Sequence, residues 1–593
     1  MEIIQKIVLP QFGICQEESL FFRNNEKAAY LQGDLAFERN GISIFDTYFN
    51  AFSATKWKKY TGIKTLQFKI VYKGAFQIEF YQRFINNGVC FDRALETYCL
   101  KFASDKTNKT VTLPFDEMAS FTYFKIVALE NDSHFFGGAF VTDDAVIVKN
   151  DVKISLIICT YKREKYVLNN LEILKRNFIE NSESDLYGNL YLKIIDNGNT
   201  LESISEKYIQ VYHNKNLGGS SGFTRGIIES LNEDRYSHVL LMDDDVVIEE
   251  EAIYRLYKFL LFMKPQYQKY LVGGSMLKLD FPFIQQEAGV CWNNGLASFP
   301  YKYNLDLRDR NNVFRNEIEE HAEINGWWFS CIPTVNISLQ KLPLPIFIRY
   351  DDMEYSLRIK QPHIFLNGIC VWHESFENKY ASNLEYYTMR NHLITYILHS
   401  PSYSSKELIK FLRIQLINKL YRYRYKDLEL NFRAVYDFLK GIDFFHVQNA
   451  ELLHQKVLET GYTFKPLEEL NVSFNYFGYE RKLFYGEGRK KKIIRKFTLN
   501  GYLLPAKGQI VVPAYSNECG HYFRVGQVIN YDEKSGKAFI TNRDRKQAFK
   551  LLVEYFRLCF LINKNFKQIK SEYNDRINEI SNINFWKPYL EID

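Results

Sequence analysis

The 593-residue sequence lacks any window of about 18 consecutive apolar residues, the least that a membrane-spanning helix needs. Its first residues, MEIIQKIVLPQFGICQEE, have neither the basic start nor the apolar core of a secretory leader. The nine cysteines (15, 90, 99, 159, 291, 331, 370, 519 and 559) are odd in number, scattered and without a C-x-x-C pair. That usage suits a reducing compartment and argues against structural zinc. A strong charge imbalance is missing too: 76 Lys and Arg against 70 Asp and Glu leave a net charge of +6. Over this length it is too mild to argue for a nucleic-acid partner. Internal repeats and low-complexity tracts are absent. The expectation is a cytoplasmic protein.

Aromatic residues are abundant, 16% of the chain with 42 Tyr and 48 Phe. Exposed aromatics stack on sugar rings or sit at membrane interfaces, although most simply fill cores. The length implies about three or four domains. Residues 1–150 alternate apolar and polar residues in ISIFDTYFNAF, TLQFKIVYKGAFQIEFYQRF and AVIVKNDVKI, which predicts a β-sandwich. From 151 to 395, short apolar runs alternate with helical patterns: ISLIICTY, a helix near YVLNNLEILKRNF, LYLKIIDNG, a helix opening at GFTRGIIESL, then HVLLMDDD. Such alternation implies a parallel sheet with ligands beyond the carboxyl ends of its strands. Residues 396–593 show apolar residues at helical spacing and predict a mostly helical region, with a basic stretch GRKKKIIRKF at 488–497.

The chemistry concentrates after the strands. In an extended MDDD, Asp243 and Asp245 share one face while Asp244 points to the other. Two converging carboxylates make a hard-oxygen site for Mg²⁺ or Mn²⁺, which also accepts diphosphate oxygens. An acidic turn facing solvent is the plain alternative. The glycine-rich HNKNLGGSSGFTRG (213–226) lets a ligand approach the backbone closely but matches neither Walker A nor G-x-G-x-x-G. Trp327 and Trp328 in NGWWFSCIP could offer a sugar platform or pack in a core. PIFIRYDDMEYSLRI (345–359) carries a second acidic pair, and GICVWHESFENKY places His373 after another apolar run.

This series of motifs resembles GT-A fold glycosyltransferases of family two. The likeness is greatest to bacterial galactofuranosyltransferases of the mycobacterial galactan-polymerase type. It rests on TYKR (160–163), NLGGSSGFTRG (216–226), MDDDV (242–246), WW (327–328), YDDMEYSLR (350–358) and WHESF (372–376). IVLPQFG at the start and TNRDRK at 541–546 extend it faintly. The resemblance implies an α/β GT-A domain with a Rossmann-like mixed sheet, after an N-terminal β-sandwich and before a mostly helical C-terminal region. It implies that Asp243, Asp245 and His373 hold the divalent cation, and that Arg163, Asp196 or Asn197, and Asn216 line the uridine diphosphate pocket. Trp328 would contact sugars, Glu287 acceptor hydroxyls, and Asp352 would be the catalytic base. The implied partners are a UDP-sugar, UDP-galactofuranose first, and a glycan acceptor that in this family is commonly lipid-linked. Peripheral contact with the inner face of the membrane and homo-oligomerisation stay open. The mycobacterial enzymes carry a histidine in the helix after the WHE strand where this chain reads YYTMRN, so acceptor choice and processivity do not transfer with the fold. Another nucleotide-sugar donor, or a non-catalytic carbohydrate-binding protein, are the competing readings.

Overall fold

Phe68 and Phe80 sit on one strand, Leu66–Asn86, in the computed structural model, which describes residues 1–86, 89–118, 121–143, 149–293, 299–375, 380–472, 479 and 488–592. Were the strand straight, these residues would stand about 40 Å apart; their rings lie 5.5 Å apart. The strand therefore doubles back, with register shifts around Gly74, whose φ of +90° favours glycine. Its first half pairs with Ser133–Thr142 and its second with Phe121–Ala128. The two halves meet across a core that includes Phe45, Phe124 and Phe140. The N-terminal region is thus mainly sheet, and the layers belong to a single ten-stranded hydrogen-bonded network.

Two of the expected N-terminal strands differ. Within ISIFDTYFNAF only Ile42–Ile44 and Phe52–Ser53 are strand. Between them buried polar side chains take over the backbone's partners: Thr47 Oγ1 donates to the Phe21 carbonyl (2.8 Å), and Asn50 Nδ2 donates to the carbonyls of Val8 and Phe21 (both 2.7 Å). Of AVIVKNDVKI, residues 145–148 lie outside the described residues, and the following strand begins only at Ile154.

The α/β region is built on a seven-stranded sheet. Its order is Ile209–His213, Leu190–Asp196, Ile154–Thr160, His238–Asp243, Ser330–Pro333, Leu271–Gly273, His363–Ile364. The first four strands are parallel, as strand–helix alternation predicts. Ser330–Pro333 runs antiparallel to both neighbours, making the sheet mixed. Four residues following the WW pair show too little alternation to reveal that strand. A second sheet orders Val247–Ile248, Cys370–His373, Ser275–Lys278, Ile284–Glu287 and Leu305–Asp306. Both sheets and the N-terminal region fall in one compact unit, Met1–Asn293, Ala297–Leu342 and Tyr355–Ser375. A buried pair helps to tie it together: Arg255 lies 3.3 Å from Glu251 and donates to the carbonyls of Phe49 (2.9 Å) and Asn367 (2.6 Å).

The other unit comprises Pro343–Glu354, Phe376–Asp593 and a short segment outside the described residues. Helices dominate it, among them Leu384–His399, Ser405–Tyr421, Tyr425–Phe438 and the 32-residue Arg545–Arg576. Helical spacing did not foresee its four-stranded sheet of Lys465–Pro466, Lys537–Asn542, Gln527–Asp532 and Gln509–Pro513, closed around Val511, Ile529 and Ala538. Among the described residues, no helix is long and apolar enough to cross a membrane.

Candidate active site

The strand His238–Asp243 stops at its first aspartate, and Asp244 and Asp245 form a turn. The extended-strand premise therefore fails, yet the separation of faces survives. Asp244 is buried and accepts from Thr160 Oγ1 (2.7 Å) and Arg163 Nη1 (3.2 Å). Burial raises its pKa, opposed by Arg163 and Thr160. Asp243 and Asp245 turn instead toward His373, the last residue of Cys370–His373, which pairs antiparallel with Val247–Ile248 just after the acidic turn.

His373 Nε2 stands 3.1 Å from Asp245 Oδ1 and 3.8 Å from Asp243 Oδ2. One ligand atom from each of the three residues lies within 4.8 Å of the others. The ring is 4% exposed, and Nδ1 lies 2.8 Å from the Glu374 carbonyl. That carbonyl can only accept, so Nδ1 carries a proton, and Nε2 is the ring nitrogen that faces the carboxylates and any cation held between them. Two carboxylates and one such imidazole fit a hard divalent cation, Mn²⁺ or Mg²⁺.

The surrounding loops are less open than their sequences imply. Asp196 is fully buried, and its carboxylate accepts from the backbone N–H groups of Gly198, Thr200 and Leu201 at 2.7–2.8 Å. Asn197 is likewise engaged internally, donating to the Gly218 carbonyl (3.1 Å) and accepting from Asn214 (2.8 Å). Both hold the loop. Both side chains are turned into the loop rather than toward open solvent. Asn216 is half-buried and accepts from the Gly218 N–H at 3.3 Å. Two glycines of 213–226 serve packing: a Cβ on Gly222 would overlap the Cys159 sulfur, and one on Gly226 would overlap Ile157. Helix Gly219–Asn232 can thus lie directly on the central strand. Arg163 stands on the acidic turn, 2.5 Å from Asp245 Oδ2.

With this geometry in place, residues 155–267 match the model of glycosyl transferase family 2. That stretch of the α/β region is similar to family 2 glycosyltransferase domains. Residues 4–139 match the galactofuranosyltransferase 2 N-terminal model. Galactofuranosyltransferase GlfT2 of Mycobacterium tuberculosis is 25% identical over 432 residues, 67% of this chain and 65% of that protein. Its counterpart in Mycolicibacterium smegmatis is 29% identical over 251 residues, 39% of this chain and 38% of that protein. The chain thus spans less than two thirds of either relative's length. A solved mannosyltransferase from Pyrobaculum calidifontis overlaps 42% of this chain and 66% of its own at 11% identity, with a TM-score of 0.27.

Glu287 ends strand Ile284–Glu287, in the sheet that also holds Cys370–His373, and is half-buried. Trp327 packs edge-on against Phe223 and Tyr355. Trp328, 6% exposed, donates Nε1–H to the Gly274 carbonyl (3.0 Å). The pair is core, as its plainer reading had it, and an exposed stacking platform is not formed.

Asp352 is the second residue of helix Asp351–Ile359 and accepts from the Met353 N–H at 2.7 Å. Desolvation raises its pKa, which strengthens it as a base. Three residues just before it, Phe347, Arg349 and Tyr350, have φ near +70°, a strained state for non-glycine residues. Sequence pattern missed what holds them: Asn391 Nδ2 donates to the carbonyls of Ile346, Ile348 and Arg349, all at 2.9 Å, and Arg390 donates to that of Ile346 at 2.8 Å. Both lie in the YYTMRN segment. A buried Arg–Asn pair inside a helix is its only sequence trace. The same helix carries His392, 3.1 Å from the Tyr350 hydroxyl, and His399, 3.1 Å from Glu354.

Proposed function

We propose that this chain is an inverting, metal-dependent galactofuranosyltransferase. It would move galactofuranose from UDP-galactofuranose to a hydroxyl of a lipid-linked, cell-surface glycan precursor at the cytoplasmic face of the membrane. One observation carries the reading: Asp243, Asp245 and His373 converge at the carboxyl end of strand His238–Asp243, in the stretch similar to family 2 domains, with Nδ1 of the imidazole committed to the Glu374 carbonyl. The names of the two mycobacterial relatives support the choice of sugar.

Asp243, Asp245 and His373 would hold Mn²⁺ or Mg²⁺, which when bound neutralises the charge growing on the departing diphosphate. Arg163 adds a guanidinium on the same acidic turn and can exchange its carboxylate partners for phosphate oxygens. Asn216 is assigned to the nucleotide, and Glu287 to acceptor hydroxyls. Trp328 is left an edge contact with a sugar. Asp352 is assigned the proton of the attacking hydroxyl, a contribution of roughly 10²–10⁴ in rate. Attack opposite the diphosphate inverts the anomeric centre with one base and no covalent intermediate.

The test is UDP release across a panel of UDP-galactofuranose, UDP-galactose, UDP-glucose and a rhamnose donor, with product linkage read by NMR. Turnover with UDP-galactofuranose, abolished in Asp352→Asn while UDP binding persists, is the expected result. An inert UDP-galactofuranose beside another active donor overturns the donor assignment.

A further inference from the structure

The second unit holds a cavity of about 580 Å³ among helices Leu384–His399, Ser405–Tyr421 and Tyr425–Phe438 and the segment that follows strand Gln509–Pro513. No residue assigned to the transferase site lines it. Its volume lies within the roughly 300–1,000 Å³ of small-molecule sites. Arg422 and Arg424, in the three-residue link between the second and third of these helices, both belong to the lining. Between them Tyr423 is fully buried at φ +59°, its hydroxyl 2.9 Å from the carbonyls of Tyr522 and Val525. The link is thus held in a left-handed turn that a tyrosine adopts only at a cost.

The charges around the cavity do not balance. Lys419 is paired with Glu385 at 2.9 Å, and Asp427 accepts from the hydroxyls of Tyr380 (2.8 Å) and Ser382. Neither arginine forms a salt bridge among the described residues. Arg422 donates to the Ser516 carbonyl (3.0 Å) and Asn517 Oδ1 (2.6 Å), and Arg424 to the Ala514 carbonyl (2.6 Å). Three cations against two carboxylates leave one positive charge in the lining. Arg424 is 1% exposed, and its Nε and Nη1, like the neighbouring Tyr522 hydroxyl, have no hydrogen-bond partner among the described residues. A guanidinium cannot shed its proton, so this charge stays in the wall of the cavity. The rings of Tyr380 and Phe539, each with its centroid 4.5 Å from the guanidinium carbon, offset part of the cost of burying it. The remainder calls for an anion.

The rest of the lining suits hydroxyl groups. Gln415, Asn418 and Asn517 offer amides that both donate and accept, and Tyr515 offers a half-buried ring. An apolar ligand would leave the amides unpaired, and an uncharged sugar would leave the positive charge unmet. We infer that this cavity binds an anionic sugar, a hexose-sized ring carrying one phosphate or carboxylate group. The inference goes beyond the transferase reading and depends on neither its donor nor its metal.

The full chain, stripped of metal, is titrated calorimetrically with galactose 1-phosphate, glucuronate, galactose and inorganic phosphate. One of the two anionic sugars should bind about tenfold or more tighter than galactose or free phosphate, and the tighter of them names the anionic group. Arg422→Gln should weaken that binding on the order of ten- to a hundredfold, the range for a lost charged hydrogen bond. Asn517→Asp, at an exposed position, sets a carboxylate against Arg422 and should weaken it too. Arg424→Gln should abolish it; if that variant does not fold, the other two decide. Asp245→Asn should bind as the parent does, so failure of the proposal leaves the metal cluster and its reading untouched. No binding of either anionic sugar, galactose or free phosphate binding as tightly, or Arg422→Gln and Asn517→Asp binding as the parent does would overturn the proposal. So would loss of binding in Asp245→Asn, which would put the ligand at the transferase site.

Discussion

The imidazole Nε2 of His373 lies 3.1 Å from Oδ1 of Asp245, and its other nitrogen is committed to the Glu374 carbonyl. Asp244, between the two converging aspartates, is already engaged by Thr160 and Arg163. These two facts assign different work to three adjacent carboxylates. Asp245→Asn and His373→Gln should each weaken Mn²⁺ binding by more than the roughly 10–100-fold that loss of an outer-shell partner costs. Asp244→Asn should stay within that range. Calorimetric titration of the metal-free chain decides it; equal effects at Asp244 and Asp245 would remove the assignment.

A second prediction concerns the strained segment before Asp352. Asn391→Ala deletes a donor to three backbone carbonyls, of which that of Ile346 keeps Arg390, at a cost of about 1–3 kcal/mol. With the loop released, its left-handed residues can relax and Asp352 loses its fixed position. The expected signature is a fall in kcat at nearly constant KM for the donor, beyond what a lowered Tm accounts for. A change in Tm alone would make Asn391 purely structural.

The apolar strands Ile154–Thr160, Leu190–Asp196 and His238–Asp243 were legible because burial on both faces leaves continuous apolar runs, and the acidic turn because unpaired carboxylates seldom follow a buried strand. What stayed hidden was how the polar side chains are used. Asp196 looks free in IIDNGN, yet the loop curls back and fills its carboxylate with three N–H groups. Such closure depends on loop geometry, which residue spacing does not encode. The packing role of Gly222 and Gly226 was hidden for a related reason, since open backbone serves a ligand and a neighbouring strand equally well.

Gly222 makes that last point testable. A methyl group there would overlap the Cys159 sulfur, so Gly222→Ala should destabilise the chain by about 1–3 kcal/mol through overpacking. Cys159→Ala should recover part of that loss in the double variant, because the overlapping atom is gone. Tm values for the four combinations give the coupling. Full loss of donor binding at unchanged Tm would instead return the glycine to a ligand-facing role.

The pH dependence of stability follows from His363, which is 6% exposed. Its Nδ1 meets the Ala322 carbonyl at 3.2 Å, and Nε2 has no hydrogen-bond partner among the described residues. Burial, opposed by that carbonyl and aided by nearby His321, lowers its pKa to about 4. In the unfolded chain the imidazole titrates near about 6.5. Between these values the unfolded state holds the extra proton, so stability rises with pH across the window and falls on acidification from 6.5 toward 4. The full span corresponds to about 3 kcal/mol. His363→Phe keeps the ring beside Phe365 and removes the titration, so it should lose less Tm than the parent between pH 7 and pH 4.5. Some acid sensitivity should persist, because burial also lowers His238 to about 4 and His392 to about 3. Parallel Tm–pH curves for parent and variant would show that His363 already finds a partner for its second proton in the folded chain.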